Sequence, residues 1–271
     1  MELVAAALLG VVQGLTEFLP VSSSGHLILA RAFFGWDSGR FGLAFDVACH
    51  VGTLLAVVAY FRRDVVRLTV AAPGALSGRD GDFERLGRLI VVGTLPVVVV
   101  GLVFADLIET TLRSPAVVAV ALAIGGAGLI AAERFGARRR GEESIGYGEA
   151  LAIGVAQASA LVPGVSRSGA TLIVAMLLGL RREAAARFVF LLSLPAVLAA
   201  AAKEALAMAE AGVDSLPVTL FAVGLVVSAV VGYVTVKYFV RYLAGNTLHV
   251  FAAYRLVLAA ATLAWLATRG A

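Results

Sequence analysis

Long apolar stretches separated by short polar or basic segments occupy most of the 271 residues. Six of these stretches are long enough to cross a bilayer, because a transmembrane helix needs about 20 mostly apolar residues. They are residues 43–61, 89–108, 116–132, 188–207, 216–236 and 249–267. Barrel strands would instead alternate between polar and apolar residues over about ten positions. The pattern therefore predicts an all-α polytopic membrane protein with six transmembrane helices.

Two further apolar regions are each broken in the middle by proline, glycine and serine residues. The segments are 3–20 and 26–34 in the first region, and 150–163 and 169–180 in the second. Irregular backbone at membrane depth is tolerated where it is buried in protein or lines a cavity. The pattern predicts two re-entrant helical hairpins in addition to the six spans.

Arginine-rich segments predict the orientation of the spans. Residues 62–88 carry six arginines and residues 133–149 carry four, which places both segments in the cytoplasm. The first hairpin then has both ends outside. The second hairpin is followed by the basic pair Arg181 and Arg182, so both of its ends lie inside. Both chain termini are expected to be external.

The two broken regions also resemble each other in sequence. Gly10–His26 aligns without a gap to the stretch that begins at Gly154, at a constant offset of 144. The identical pairs are Gly10/Gly154, Val11/Val155, Gln13/Gln157, Val21/Val165, Ser22/Ser166, Ser24/Ser168 and Gly25/Gly169. A weaker match joins Gly101–Pro115 to Gly232–Asn246 at an offset of 131.

Similar halves with opposite orientations form an inverted-topology repeat, an arrangement found in many transporter folds. The halves are expected at about 1–134 and 146–271, within a single integral membrane domain that covers residues 1–271.

Composition agrees with a membrane protein: 61% of the residues are hydrophobic and 15% are charged, against about 25% charged in soluble domains. The net charge of +4 is explained by the cytoplasmic segments, so no nucleic-acid partner is expected. The single cysteine, Cys49, excludes an internal disulfide and a CxxC metal site.

The first broken region places a carboxylate within the membrane. Gln13 and Glu17 are four residues apart and share one helix face. A buried carboxylate is costly unless it is paired, protonated or bound to a cation. Glu17 is therefore either a metal ligand, with Gln13 beside it, or a buried glutamate satisfied by Arg167. Gln13 alone could also serve as a hydrogen-bonding contact between helices.

Serines follow the proline in the first region. After Pro20, Ser22–Ser24 can cap the next short helix, with Gly25 and His26 near its first turn. Backbone N–H groups and the positive end of the helix dipole gather there and favour an anion. Capping alone is the competing interpretation of the serines.

The second region repeats this arrangement with Ser166, Arg167, Ser168 and Gly169, and Thr171 follows one turn later. The guanidinium of Arg167 suits phosphate oxygens. We therefore expect these residues, with those of the first copy, to bind a phosphate between two facing helix N-termini.

The motifs resemble those of the undecaprenyl-diphosphate phosphatase family, which is also associated with bacitracin resistance. The family's (E/Q)xxxE motif matches Gln13–Glu17, PVSSxGH matches Pro20–His26, and PGxSRSGxT matches Pro163–Thr171. This chain has Gln13 where many members have glutamate, which leaves one carboxylate in the first motif.

The resemblance implies hydrolysis of a long-chain polyprenyl diphosphate to the monophosphate and inorganic phosphate, at the external face of the bacterial cytoplasmic membrane. That reaction recycles the lipid carrier of peptidoglycan synthesis and uses a divalent cation, Mg²⁺ or Ca²⁺. By the same resemblance Glu17 and Gln13 bind the metal, Arg167 holds the phosphate, and His26 acts as general base. Ser23 is the nucleophile or a phosphate ligand, and the choice between a phosphoserine and direct attack by water stays open.

Two other classes of protein share features with this sequence. A polyprenyl-phosphate transporter or flippase would use the same inverted repeat. The lipid phosphatases with a nucleophilic histidine carry His six residues and Asp ten residues after the motif arginine, where this chain has Ile173 and Leu177. A homodimer is compatible with the sequence, which does not determine the oligomeric state.

Three polar residues outside the motifs have weaker interpretations. Asp46 and His50 lie on one helix face, either at the rim of a pocket or as a local pair. Arg255, after Tyr254 in the last span, is expected to form a structural salt bridge rather than to take part in catalysis.

Overall fold

A computed structural model describes residues 2–36, 41–211 and 218–269. Over these ranges the chain forms twelve α-helices, one short 3-10 turn at Glu142–Ser144, and no strand. The helices are α1 (Glu2–Thr16), α2 (Ser23–Phe34), α3 (Leu43–Tyr60), α4 (Arg62–Leu76), α5 (Asp82–Val103), α6 (Ala105–Thr110), α7 (Pro115–Phe135), α8 (Tyr147–Ser159), α9 (Arg167–Leu177), α10 (Arg182–Ala211), α11 (Val218–Gly245) and α12 (His249–Arg269).

Six of these helices are long and apolar enough to cross a membrane: α3, α5, α7, α10, α11 and α12. They coincide with the six predicted spans, so that part of the sequence prediction is confirmed. α10 is the most enclosed, with 56% of its most apolar window buried against 28–39% in the other five. α10 is therefore the central span, and its side chains Ala196, Val197 and Ala200 line the candidate site.

The segment after α3 differs from the sequence prediction. It was expected to be a loop, but residues 62–76 form helix α4. Val65 and Leu68 pack on the hydrophobic core, while Arg62, Arg63 and Arg67 are exposed. The mixture of arginines with apolar residues lowers the hydropathy of the segment, and its helical structure depends on this packing rather than on membrane insertion.

The two broken helix pairs lie where the sequence places the hairpins. α1 and α2 are separated at residues 17–22, and α8 and α9 are separated at residues 160–166. Ser22 and Ser166 end these breaks with φ angles of 74° and 72°, which are uncommon for residues other than glycine. Each serine hydroxyl accepts the N–H group of a glycine three residues later, Gly25 or Gly169, at 3.3 and 3.1 Å.

Glycines allow each broken pair to pack closely on a long span. A Cβ atom on Gly10 of α1 would lie 3.0 Å from the carbonyl oxygen of Gly224 in α11. A Cβ atom on Gly154 of α8 would collide with the carbonyl of Gly93 in α5. Small residues at such crossings let the backbones approach. Gly10 and Gly154 differ by 144, and Gly93 and Gly224 by 131, which are the two offsets of the sequence repeat.

Arg255 of α12 joins the two breaks. The side chain is fully buried, and its guanidinium donates five hydrogen bonds of 3.0–3.2 Å. The acceptors are the carbonyl oxygens of Pro20 in the first break, Gly164 and Val165 in the second, and Ala121 and Leu122 in α7. The guanidinium lies against Gly125, where a side chain would collide with it.

The expectation of a salt bridge for Arg255 is therefore wrong. Its partners are backbone carbonyls, because a broken helix leaves carbonyl groups without a helical N–H partner. Arginine has five N–H donors in a fixed fork and can satisfy several such groups at once. Pro20 and Gly164 are equivalent positions at the offset of 144, so one side chain holds the same point of both copies.

Several arginines of the basic segments form ion pairs. The buried Glu133 carboxylate receives hydrogen bonds from Arg182 Nε at 2.8 Å, from Arg138 Nη1 at 2.7 Å and from the Leu248 N–H at 2.9 Å. Arg140 holds both oxygens of Glu149 at 2.6 and 3.0 Å. These residues fasten the start of α8 and the segment between α9 and α10 to the helix ends around them.

Replacing Arg255 with Met should destabilise the protein strongly, because the carbonyl oxygens of Pro20, Gly164 and Val165 in the breaks lose a donor and each unsatisfied group costs about 1–3 kcal/mol. We expect the apparent melting temperature of the purified protein in detergent to fall by several degrees. Arg241→Met on the exposed face of α11 is the control and should change it little. Equal melting temperatures for the two variants would contradict the structural role of Arg255.

Candidate active site

A cavity of about 220 Å³ lies between the two breaks, the first half of α3, the last part of α5 and the middle of α10. Its polar wall comes from both copies of the repeat. The polar lining residues are Glu17, Ser22, Ser23, Ser24, His50, Gln157, Ser166 and Arg167. The remaining wall is apolar, so charged groups in this space are largely shielded from water.

Glu17 is the centre of the polar wall. Its side chain is 4% exposed, and Arg167 from the second copy binds its Oε1 atom. Its Oε2 atom accepts hydrogen bonds from Ser23 Oγ at 2.6 Å and from Gln13 Nε2 at 2.8 Å. The Nε2 atom of His50 lies 3.4 Å from the same Oε2 atom. One carboxylate thus connects side chains from α1, α2, α3 and α9.

The sequence allowed Glu17 to be either a metal ligand or a buried glutamate satisfied by Arg167. The structure contains the contact between Glu17 and Arg167. The predicted residues Gln13, Glu17, Ser23 and Arg167 come together although about 150 positions separate the two copies. Their assignment as catalytic or metal-binding groups stays a prediction.

The predicted phosphate ligands fall into two groups. Ser22, Ser24 and Ser166 line the cavity with Arg167. Ser168 is buried instead and donates its hydroxyl to the Leu19 carbonyl at 3.0 Å, which joins the start of α9 to the first break.

Thr171 and the two capping glycines lie behind this wall. Thr171 is fully buried and donates to the Arg167 carbonyl at 2.6 Å. The N–H groups of Gly25 and Gly169 already bond to serine hydroxyls. Ser22 Oγ also accepts the N–H of Gly164 at 3.1 Å, so its hydroxyl bridges the two breaks. These contacts fix the shape of the cavity.

His26 is not among the residues that line the cavity. Its Nδ1 atom lies 2.6 Å from the Ser22 carbonyl, which can only accept, so Nδ1 donates. In the neutral ring Nε2 is then an acceptor, and the hydroxyl of Tyr254 donates to it at 2.7 Å. The two rings are also stacked, with centroids 5.6 Å apart. Tyr254 therefore fixes the orientation of His26, a contact that the sequence did not indicate.

Two residues with weak sequence signals lie in the cavity wall. His50 had been interpreted as a rim residue or as a partner of Asp46. In the sequence, Gln157 stood out only as the residue equivalent to Gln13 in the second copy of the repeat. Gln157 is 1% exposed, and neither of its amide atoms has a hydrogen-bond partner; the Gln13 Oε1 atom is also buried without one. Such buried polar atoms are costly, and a bound ligand would satisfy them.

The carboxylate of Asp46 does not pair with the ring of His50. Arg31 holds Asp46 at 2.6 and 3.0 Å, and Arg113 holds it at 2.8 Å. The contact between Asp46 and His50 runs through the backbone, since His50 Nδ1 lies 2.7 Å from the Asp46 carbonyl. The local pair expected from the sequence is thus present only through the main chain.

A second cavity of about 290 Å³ adjoins the first and shares Ser24, Leu43 and Val47 with it. Its lining is mainly apolar and includes Val97, Leu102 and Ile108, together with Arg113 and Lys203. We call this second cavity the apolar cleft. The first cavity and the apolar cleft lie side by side and share lining residues, an arrangement that suits an amphiphilic molecule.

The residues present fit a divalent cation. Glu17, the unpartnered Oε1 atom of Gln13 and the hydroxyl of Ser23 offer hard oxygen ligands, which Mg²⁺ and Ca²⁺ prefer. The described residues contain no group of three or more His, Cys, Asp or Glu side chains that could hold a metal ion. A cation here would therefore also need amide or substrate oxygens.

Known proteins resemble this chain over almost its whole length. The family model described as bacitracin resistance protein BacA matches residues 6–261. An undecaprenyl-diphosphatase of Rubrobacter xylanophilus is 49% identical over 263 residues, which cover 96% of this chain and 97% of that protein. Proteins of the same name from Alcanivorax borkumensis and Desulforudis audaxviator are 45% and 44% identical, over 98% and 92% of this chain and 100% and 92% of their own lengths.

These matches cover both breaks, all the polar cavity residues and the six long apolar helices. The chain therefore belongs to the bacitracin resistance protein BacA family.

Proposed function

We propose that the protein hydrolyses undecaprenyl diphosphate, a long-chain polyprenyl diphosphate, to undecaprenyl phosphate and inorganic phosphate. The observation that carries this proposal is the convergence of Glu17, Ser23 and Arg167 in a cavity that adjoins the apolar cleft. Relatives named undecaprenyl-diphosphatase, matched over almost the whole chain, support the same substrate. A lipid diphosphate has the two parts that this space accommodates, an anionic head and an apolar chain.

The contact between Glu17 and Arg167 explains how the site stays neutral without substrate. Each charge would be costly alone in a largely apolar cavity, and each is compensated by the other. An incoming diphosphate offers Arg167 new oxygen partners, and Glu17 with Gln13 would then hold a divalent cation, Mg²⁺ or Ca²⁺. That cation neutralises charge on the phosphate oxygens when bound. The internal ion pair is thus exchanged for contacts with the substrate.

Arg167 stabilises the transferred phosphoryl group during the reaction. In phosphoryl transfer negative charge spreads over the equatorial oxygens and the leaving oxygen, and catalysis depends mainly on positioned positive groups. Arg167 stands at the N-terminus of α9, where the helix dipole adds to its charge. Ser22, Ser24 and Ser166 supply further hydroxyl donors from the same wall.

Ser23 is the candidate nucleophile. Its hydroxyl donates to Glu17 Oε2 at 2.6 Å, so the carboxylate is placed to accept the proton as Ser23 Oγ bonds to the terminal phosphorus. The bond from that phosphorus to the bridging oxygen breaks, and undecaprenyl phosphate leaves. Water then cleaves the phosphoserine. In the alternative route, water attacks the terminal phosphorus directly and Ser23 serves as a phosphate ligand.

His26 is the general base in the sequence prediction, and its geometry constrains that role. Both ring nitrogens are engaged, by the Ser22 carbonyl and by the hydroxyl of Tyr254. A proton can reach Nε2 of His26 only through Tyr254 or after Tyr254 moves away. We propose that His26 orients the serine turn through Ser22, and that it takes a proton from an attacking water or hydroxyl only after Tyr254 moves away from Nε2.

We further propose that the two broken pairs are re-entrant hairpins of an inverted-topology repeat. The recurring glycine contacts of α1 with α11 and of α8 with α5 support this arrangement. The basic segments support cytoplasmic placement of residues 62–88 and 133–149. In this arrangement the cavity opens to the outer face of a bacterial cytoplasmic membrane, where the released monophosphate lipid returns to cell-wall synthesis.

A polyprenyl-phosphate transporter or flippase is the second candidate. The two broken helix pairs around one cavity favour it, because transporters bind their substrates at such sites. The hydrogen bond from Ser23 to Glu17 favours hydrolysis, since transport requires no activated hydroxyl.

Arg167→Ala should lower the kcat for phosphate release from undecaprenyl diphosphate by roughly 10²–10³, the usual effect of removing one donor to a developing negative charge. Arg167→Lys should recover only part of the rate, because lysine lacks the planar fork. The measurement is phosphate release by purified protein in detergent with Mg²⁺. Arg181→Ala, an exposed arginine beyond the other end of α9, is the control and should keep the wild-type rate.

Full activity of Arg167→Ala, or no phosphate release by the wild-type protein with any divalent cation, would contradict the proposed hydrolysis.

Single-cysteine labelling should test the inverted repeat, because Cys49→Ala removes the only cysteine. A membrane-impermeant maleimide added to intact spheroplasts should label Thr111→Cys and Phe34→Cys, which the proposal places outside. Ser77→Cys and Arg181→Cys should react only after permeabilisation. Labelling of Phe34→Cys and Arg181→Cys from the same side would refute the opposite orientation of the two hairpins.

Transport and hydrolysis can be separated in proteoliposomes. We expect Ser23→Ala to abolish phosphate release, and we expect neither this variant nor the wild type to move a fluorescent polyprenyl diphosphate across the bilayer faster than protein-free vesicles. Crossing by the inactive variant that is faster than in protein-free vesicles would instead favour the transporter.

A further inference from the structure

His50 is the imidazole that faces the polar wall of the cavity. The chain has three histidines, all within the described ranges, and His50 alone lines this cavity. His26 is stacked on Tyr254, and His249 contacts Thr247 at the exposed start of α12. The proposed function gives His50 no role, although it lies beside the central carboxylate of the site.

The hydrogen bond at Nδ1 fixes the tautomer of His50. Nδ1 lies 2.7 Å from the Asp46 carbonyl oxygen, and because a carbonyl only accepts, Nδ1 carries the hydrogen. Arg31 and Arg113 bind the carboxylate of Asp46, which therefore does not pair with the imidazole ring of His50. Nε2 of the neutral ring is then a lone pair directed into the cavity. Metal-binding histidines commonly donate their other ring N–H to a backbone carbonyl in this way.

The atom opposite Nε2 is also an acceptor. It is Oε2 of Glu17, 3.4 Å away. Two lone pairs that face each other at this distance repel unless a proton or a metal ion lies between them. Two ligand atoms that are each about 2.1 Å from one ion lie about 3.0 Å apart at an octahedral angle and about 3.4 Å apart at a tetrahedral angle. The spacing of Nε2 and Oε2 is compatible with a shared ion.

The two oxygens of Glu17 have different surroundings. Arg167 binds Oε1, whereas His50, Ser23 and Gln13 surround Oε2. A cation beside Oε2 therefore leaves the arginine on the other side of the carboxylate. Gln13 also contributes an unpartnered carbonyl oxygen, but it cannot supply the second carboxylate of the (E/Q)xxxE motif. His50 supplies a second strong donor where Gln13 does not.

We propose that His50 Nε2 and Glu17 Oε2 bind the divalent cation of this protein together, which makes it a mixed nitrogen and oxygen site. Imidazole favours transition-metal ions, whereas Ca²⁺ and Mg²⁺ prefer sites with oxygen ligands only. The site accordingly binds Mn²⁺ or Co²⁺ more tightly than the Mg²⁺ or Ca²⁺ of the proposed hydrolysis. This inference rests on the proposed cation-dependent hydrolysis and specifies its metal site.

The test is pulsed electron paramagnetic resonance of Mn²⁺ bound to the purified protein in a buffer without nitrogen ligands. The wild type should show a ¹⁴N hyperfine coupling from directly bound imidazole. His50→Gln should lose the coupling, whereas His26→Gln and His249→Gln should keep it. The double variant His26→Gln/His249→Gln leaves His50 as the remaining histidine and should also keep it, so the assignment does not depend on the folding of His50→Gln.

Binding measurements provide a second readout. His50→Gln should weaken Mn²⁺ binding by roughly tenfold or more, since even outer partners of metal ligands contribute that much. Its affinity for Ca²⁺ should change little. Both measurements use the metal alone without substrate, so they are independent of whether the protein releases phosphate.

Absence of ¹⁴N coupling in the wild type, its persistence in His50→Gln, or equal Mn²⁺ affinity of the two proteins would overturn the proposal. Phosphate release by a wild type without ¹⁴N coupling would overturn the metal site alone. Nitrogen coupling without phosphate release would overturn the hydrolysis and retain the metal site.

Discussion

The five hydrogen bonds of Arg255 are the constraint on which the site depends. Each broken helix leaves carbonyl groups without a helical N–H partner, and a buried carbonyl without any donor would destabilise the break. Arg255 satisfies carbonyls of both breaks and of α7 with one buried guanidinium. It therefore links the two breaks that carry most of the polar residues of the cavity.

Hydrogen bonds of the serine turns add to the contacts that Arg255 makes with both breaks. The serine turns cross-link the breaks through Ser22 to Gly164 and through Ser168 to Leu19. These bonds bring Glu17 of one copy against Arg167 of the other. The residues that are identical in the two copies mainly hold the structure. Glu17, Ser23 and Arg167 differ from their equivalents across the repeat, and they carry the charge and the hydroxyl that the proposed chemistry needs.

Much of the fold was predictable because it follows from local properties of the chain. Hydropathy located the six spans, and prolines with serines located both breaks. Helix α4 was missed because its arginines lower the hydropathy, and only packing on the core shows that Val65 and Leu68 form an apolar face. Arg255 was assigned the wrong kind of partner because backbone carbonyls have no signature in sequence; only the tertiary fold brings five of them together.

The sequence by itself determined the membrane class, the repeat and the family, and it indicated Gln13, Glu17, Ser23 and Arg167 as one group. Only the tertiary structure decided that His50 faces Glu17, that Gln157 has no partner, and that His26 is held by Tyr254 outside the cavity wall. The reason is physical. Motif residues share a short segment, whereas the direction of a side chain on α3, α8 or α12 depends on how distant helices pack.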